Sequence, residues 1–125
     1  MPETRISGVR TVGVPVRDQD RALEFYTELL GLDTRLDVSL GNSGRWIEVA
    51  APGAGTSIAL VPARASAPAG VETGIRLAAA DAAELHEYLL KNSVDADDVL
   101  RWPGVPPMFS FRDRDGNGLE IVQEA

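Results

Sequence analysis

Phe111-Arg112-Asp113-Arg114-Asp115-Gly116-Asn117-Gly118-Leu119-Glu120-Ile121-Val122 sets a tight polar turn in front of a short apolar run that holds one carboxylate. Asp115-Gly116-Asn117-Gly118 is hairpin-turn chemistry. The run after it alternates with period two, which puts Glu120 on the face opposite Leu119 and Ile121. An ionised carboxylate taken out of water is costly unless it is paired or binds a cation, so Glu120 is the first functional candidate.

Working outward, the rest of the chain reads as a duplication. Ser7 to Val16 is a strand ending in Val14-Pro15-Val16, after which Asp18 opens a helix with Ala22, Phe25, Tyr26 and Leu29 on one stripe and Gly31 stops it. Later, Gly74 to Ala79 reads as a strand, Asp81 opens a helix with Ala82, Leu85, Tyr88 and Leu89 on one stripe, and Asn92-Ser93 ends it. Three strands are expected after each helix: Thr34 to Leu40, Arg45 to Ala50 and Thr56 to Val61, then Asp97 to Arg101, Met108 to Arg112 and Leu119 to Gln123. Each half is thus βαβββ. The repeats run over residues 5–62 and 71–124, and the Ala- and Pro-rich stretch from Pro62 to Gly70 links them within one domain spanning 1–125.

Composition narrows the function. With 125 residues, 44% of them apolar, the chain can build one genuine core. Its 12 Lys and Arg against 19 Asp and Glu give a net charge of −7, which argues against nucleic acid or an anionic membrane surface as partner. The absence of Cys excludes disulfides and thiolate metal sites, and no apolar run reaches the ~20 residues needed to span a bilayer. Met1 to Gly8 is mixed and polar without a signal-peptide core, so a cytoplasmic protein is expected.

Val14-Pro15-Val16, Asp18, Asp20-Arg21-Ala22, Phe25-Tyr26 and Leu30-Gly31-Leu32 resemble the opening of glyoxalase-like proteins of the vicinal oxygen chelate (VOC) superfamily. The Asp113-Arg114-Asp115-Gly116-Asn117 turn followed by Glu120 resembles that family's closing signature, with Arg114 where a Pro is usual. The resemblance implies an α+β fold in which two βαβββ modules curl into a partly open barrel around a cleft, as a homodimer. Metal-dependent members carry a His where this chain has Thr11, a His where it has Gly74, and a Glu, Gln or His near Ala59. Only Glu120 is left of that set, and a first-row divalent metal wants three or four N or O ligands.

Strand alternation supplies further candidates. Trp46 and Glu48 share one face if Ile47 and Val49 pack under the helices, and Arg76 and Glu120 share the cleft face if Ile75, Leu77, Leu119 and Ile121 do the same. An Arg facing a Glu is either a structural ion pair or a polar anchor for a ligand's carbonyl, hydroxyl or carboxylate. Thr11, Gly13, Ala59 and Gly74 leave room for an organic ligand, and Trp46, Trp102, Met108, Phe109 and Phe111 offer it aromatic and adaptable surface. Phe109 and Phe111 share one face and Met108 and Ser110 the other, and periodicity does not choose between them. Trp102, beside the stiff Pro103-Gly104-Val105-Pro106-Pro107 loop, suits a cleft mouth or a dimer contact as well as ordinary packing. His86, the single His, reads as a partly exposed helix residue.

The expected function is therefore binding of a small apolar or aromatic organic molecule, as in bleomycin-resistance-like members, without a cofactor. Its ligand-contacting set is Thr11, Trp46, Glu48, Arg76, Trp102, Met108, Phe109, Phe111 and Glu120. The alternative is a metal-dependent lyase, isomerase or dioxygenase in which a divalent metal is completed by Glu120 with Glu48 or a partner subunit, Glu120 being the catalytic group. A regulatory or scaffolding module with a vestigial cleft is a third reading.

Overall fold

The computed structural model describes residues 3–124. Strand β1 (Thr11–Val16) leads into helix α1 (Gln19–Glu24), where the Asp18 side chain accepts from the Arg21 N–H at 3.1 Å and so caps a donor the helix cannot satisfy itself. The helix continues into a wider π-type turn over Phe25–Leu29, closed by Leu30 N–H donating to the Phe25 carbonyl at 3.0 Å. Within this turn the adjacent Phe25 and Tyr26 are both buried, their rings edge to face at 5.3 Å between centroids. Gly31 then takes φ +78°, a conformation other residues resist, and ends the element.

Strands β2 (Asp33–Ser39), β3 (Arg45–Ala50) and β4 (Ser57–Pro62) complete the first half in the order β1-β4-β3-β2, with β1 and β4 parallel. The second half repeats the plan. Strand β5 (Glu72–Ala79) is followed by α2 (Ala82–Lys91), capped by Asp81 accepting from the Glu84 N–H at 3.1 Å. Strands β6 (Met108–Arg112) and β7 (Gly118–Gln123) then give the order β5-β7-β6, with β5 and β7 parallel. The fold is α+β, with two sheets that do not close on each other.

The strand expected over Asp97 to Arg101 is corrected by the structure. This segment runs beside β6 but makes only two isolated bridges, Ala96 with Phe111 and Leu100 with Met108. The pairing slips by one residue between them, so a bulge near Asp98 and Val99 interrupts the ladder. The second half is therefore βα followed by a broken edge and two regular strands.

Both halves feed one core. Val14, Val16, Ile47, Val49, Ile58 and Leu60 from the first sheet join Phe109, Phe111, Leu119 and Ile121 from the second, with Phe25, Tyr26 and Leu89 from the helical segments. A polar clasp ties the halves together. The turn between β6 and β7 reaches back so that Asn117 donates to the Pro15 carbonyl at 2.8 Å, and its Oδ1 accepts from Gly70 and Val71 N–H at 2.8 and 3.1 Å. Tyr26 donates to Asp113 Oδ2 at 2.7 Å. Burial, together with the Asp113 charge and this hydrogen bond, pushes the Tyr26 phenol far above its ordinary range. The closing signature thus acts as a joint between modules. No helix of the described residues is long and apolar enough to cross a membrane.

Candidate functional site

Each sheet turns one face to the core and the other away from it, as period two requires. On the second sheet, β5 alternates exposed and half-buried residues, with Ile75 and Leu77 packed against the core and Gly74, Arg76 and Ala78 on the other side. Arg76 lies opposite Glu120 in the β5–β7 register, and its Nε is 3.0 Å from Glu120 Oε2. The side chains are 66% and 37% exposed, so this pair is hydrated and the burial cost expected for Glu120 does not arise.

That cost falls on Glu48 instead. Glu48 is 4% exposed and sits beneath a set of donors: Trp46 Nε1 at 2.7 Å, Ser57 Oγ at 2.7 Å and Arg10 Nη2 at 3.4 Å. The Trp46 and Ser57 hydrogen bonds, then the Arg10 charge, hold its carboxyl below the ordinary glutamate range against the opposite pull of burial. Thr11 belongs to the same group, its Oγ1 lying 2.8 Å from Ser57 Oγ and 3.3 Å from the Ser57 carbonyl oxygen. Arg10 and Ser57 were not singled out in the sequence. The available signal was Ser57 itself, a hydroxyl heading the apolar run Ile58-Ala59-Leu60 on the strand that pairs with β3.

A cleft of about 850 Å³ is bounded by β1 and β5, the facing edge strands of the two sheets. Its walls are mainly apolar, among them Val12, Leu32, Ile58, Ile75, Leu77 and Leu85, and among the described residues Arg76 is the one charged side chain lining it. Gly13 and Gly74 both border this space, and an added Cβ at either would meet no atom within 4 Å. Gly74 has φ +74° at the register irregularity in β5, so the absent side chain there is also a backbone requirement.

The other sequence candidates are dispersed. Phe109 and Phe111 are 3% and 0% exposed and form part of the core, leaving Met108 and Ser110 on the opposite face of β6. Trp102 is 66% exposed on the loop before β6. His86 Nε2–H donates to the Asp97 carbonyl at 2.9 Å, and its ring meets that of Phe109 edge to face. Of the expected ligand-contacting set, Arg76 borders the large cleft, while Thr11, Trp46 and Glu48 cluster on the first sheet.

The metal set implied by resemblance does not fit these residues. Thr11 is engaged with Ser57, Ala59 offers a methyl, Gly74 offers nothing, and Glu120 is paired with Arg76. Among the described residues no three His, Cys, Asp or Glu side chains converge, whereas a first-row cation wants at least three N or O donors.

Two like-ordered βα sheets side by side, joined by a turn from the second half and leaving a cleft between their edges, are the architecture of the VOC fold. The chain belongs to the Glyoxalase/Bleomycin resistance protein/Dioxygenase superfamily, whose family model matches residues 8–121. TnmS3, an antibiotic-binding protein from Streptomyces sp. CB03234, is 34% identical with a TM-score of 0.87, over 98% of this chain and 100% of that one. A superfamily member from Sphaerobacter thermophilus DSM 20745 is 31% identical with a TM-score of 0.88, over 97% and 100% of the two chains. The uncharacterized protein YetH of Bacillus subtilis (strain 168) is 30% identical over 116 residues, covering 90% of this chain and 94% of YetH.

Proposed function

We propose that this protein binds a small, largely apolar or aromatic organic molecule in the cleft between β1 and β5 and holds it without bond making. The observation that carries this reading is the cleft itself: about 850 Å³ falls within the range of small-molecule pockets, and its walls are mainly apolar with one charged side chain. Arg76, set by Glu120, is the polar group that would orient a ligand's carbonyl, hydroxyl or carboxylate. The similarity to an antibiotic-binding protein supports binding as the activity, and the donor set at the family's ligand positions argues against a metal-dependent reaction. The working unit in this reading is a cytoplasmic homodimer.

The neutral aromatic dye N-phenyl-1-naphthylamine tests the cleft. Saturable fluorescence enhancement is expected, with added stability of about 2.7 kcal/mol at 100 times the dissociation constant. Gly13→Phe starts from a Cβ position with no atom within 4 Å and directs a ring at the cleft, so dye affinity is expected to fall about tenfold or more, with folding checked by circular dichroism. Linear, unsaturable dye uptake, or equal affinity in Gly13→Phe, would refute the assignment.

Glu120→Gln is expected to change the unfolding free energy by no more than about 1 kcal/mol, because the pair it breaks is hydrated. Urea denaturation measures this directly. A loss of several kcal/mol would make the Arg76 pair structural and remove it from the ligand site.

A further inference from the structure

A second cavity, of about 250 Å³, lies where the residue before β1 meets β2, β3 and the head of β4. Arg10, Arg35, Leu36, Glu48, Gly55 and Ser57 line it. Two guanidiniums against one carboxylate make this lining net positive in a chain whose net charge is −7. A local reversal of sign in an acidic protein concentrates anions at that spot.

The construction beneath the two arginines is specific. Glu48 is buried with one oxygen accepting from Ser57 Oγ and the other from Trp46 Nε1, both at 2.7 Å, so much of its charge is compensated from within the sheet. Its second oxygen also reaches Arg10 Nη2 at 3.4 Å, which tethers that guanidinium over the cavity while its side chain remains 78% exposed. Arg35 is held by one hydrogen bond from Nη2 to the Ala51 carbonyl at 3.2 Å. A guanidinium has five N–H donors in a planar fork, and among the described residues each arginine commits a single nitrogen. Both therefore keep donors suited to two-point contact with an oxyanion.

We propose that this cavity binds the oxyanion group of a small molecule, a carboxylate or a phosphate, held between Arg10 and Arg35. Glu48 is the positioning residue: it fixes Arg10 and, as a negative floor, keeps the anion at the mouth. At about 30 Å³ for each water displaced, the space corresponds to about eight waters and has room for a phosphate or a small carboxylic acid. The site stands apart from the apolar cleft, although Ser57 lines both and the two share a wall.

The chain has two tryptophans, and Trp46 reports on the site because its indole N–H is bonded to Glu48, whereas Trp102 is exposed on the loop before β6 and does not line the cavity. Benzoate and inorganic phosphate are titrated separately into ¹⁵N-labelled protein at constant ionic strength, with chloride as the control anion. A saturable shift of the Trp46 indole signal, absent for Trp102 and for chloride, is expected with at least one of them, and the responding anion identifies the group recognised. Arg10→Ala and Arg35→Ala, both at exposed side chains, are expected to weaken that binding about tenfold or more each. N-phenyl-1-naphthylamine binding stays unchanged in Arg35→Ala, which separates this site from the cleft. A response that chloride reproduces, that does not saturate, or that survives both substitutions would overturn the proposal.

Discussion

Asn117→Ala is expected to lower the unfolding free energy by about 3–5 kcal/mol, a large part of the ~5–15 kcal/mol typical of a domain. Asn117 is fully buried, and its side chain satisfies four groups: Gly70 N–H, Val71 N–H, the Pro15 carbonyl and Asp113 Oδ2. Truncation leaves the two N–H groups and the Pro15 carbonyl without their side-chain partner, at about 1–3 kcal/mol for each that water cannot reach, while Asp113 Oδ2 keeps Tyr26. The loss exceeds that of an ordinary polar residue because the clasp joins β1, the link between halves and the β6–β7 turn at once. Tyr26→Phe removes a single hydrogen bond to Asp113 and serves as a graded control, with a loss of about 1–2 kcal/mol. Chemical denaturation of both variants checks the ranking. An Asn117→Ala loss below that of Tyr26→Phe would mean that Asn117 is not the main polar tie between the halves.

Glu48→Gln is expected to cost about 1–3 kcal/mol at neutral pH, since an amide must accept from the Trp46 and Ser57 donors while presenting its own donors to them and to Arg10. The pH dependence has a defined sign. The folded-state value of Glu48 is lowered from its ordinary 4.5, so the stability it contributes is complete above that value and is lost as pH falls through the folded value. The gap between wild type and Glu48→Gln should therefore be widest at neutral pH and close in acid, where the wild-type carboxyl is itself protonated. Urea melts across this range measure the gap. A constant difference would show that ionisation of Glu48 contributes nothing to folding.

Much of the scaffold was legible because local signals agreed with it. Strands β3 and β6 occupy the expected residues, both Asp caps are in place, and the alternation that set Arg76 opposite Glu120 holds across β5 and β7. Strand β1 begins at Thr11 and not at Ser7, because β4, its partner, begins at Ser57. The Asp97 to Arg101 segment failed as a strand for a nonlocal reason: a one-residue slip against β6 is invisible in a stretch with only Val99 and Leu100 as apolar residues. The site was harder to read. Which carboxylate is buried depends on Ser57 and Arg10, nine and thirty-eight residues from Glu48, and periodicity within β3 carries no information about either. Likewise Phe109 and Phe111 could be assigned to the core only once β6 was seen beneath α2.

Gly74 constrains the cleft as well as shaping it. Its φ of +74° belongs to a backbone kink in β5, where an L-amino acid would carry roughly 1–2 kcal/mol of conformational strain. A histidine at this position would carry that strain and would also fill space beside Arg76. A side chain that narrows the cleft is accommodated more readily at Gly13, whose φ lies outside the left-handed region and whose surroundings are open. The two glycines that border the cleft thus differ in kind: one answers a backbone requirement, and the other leaves the shape of the cleft open to change.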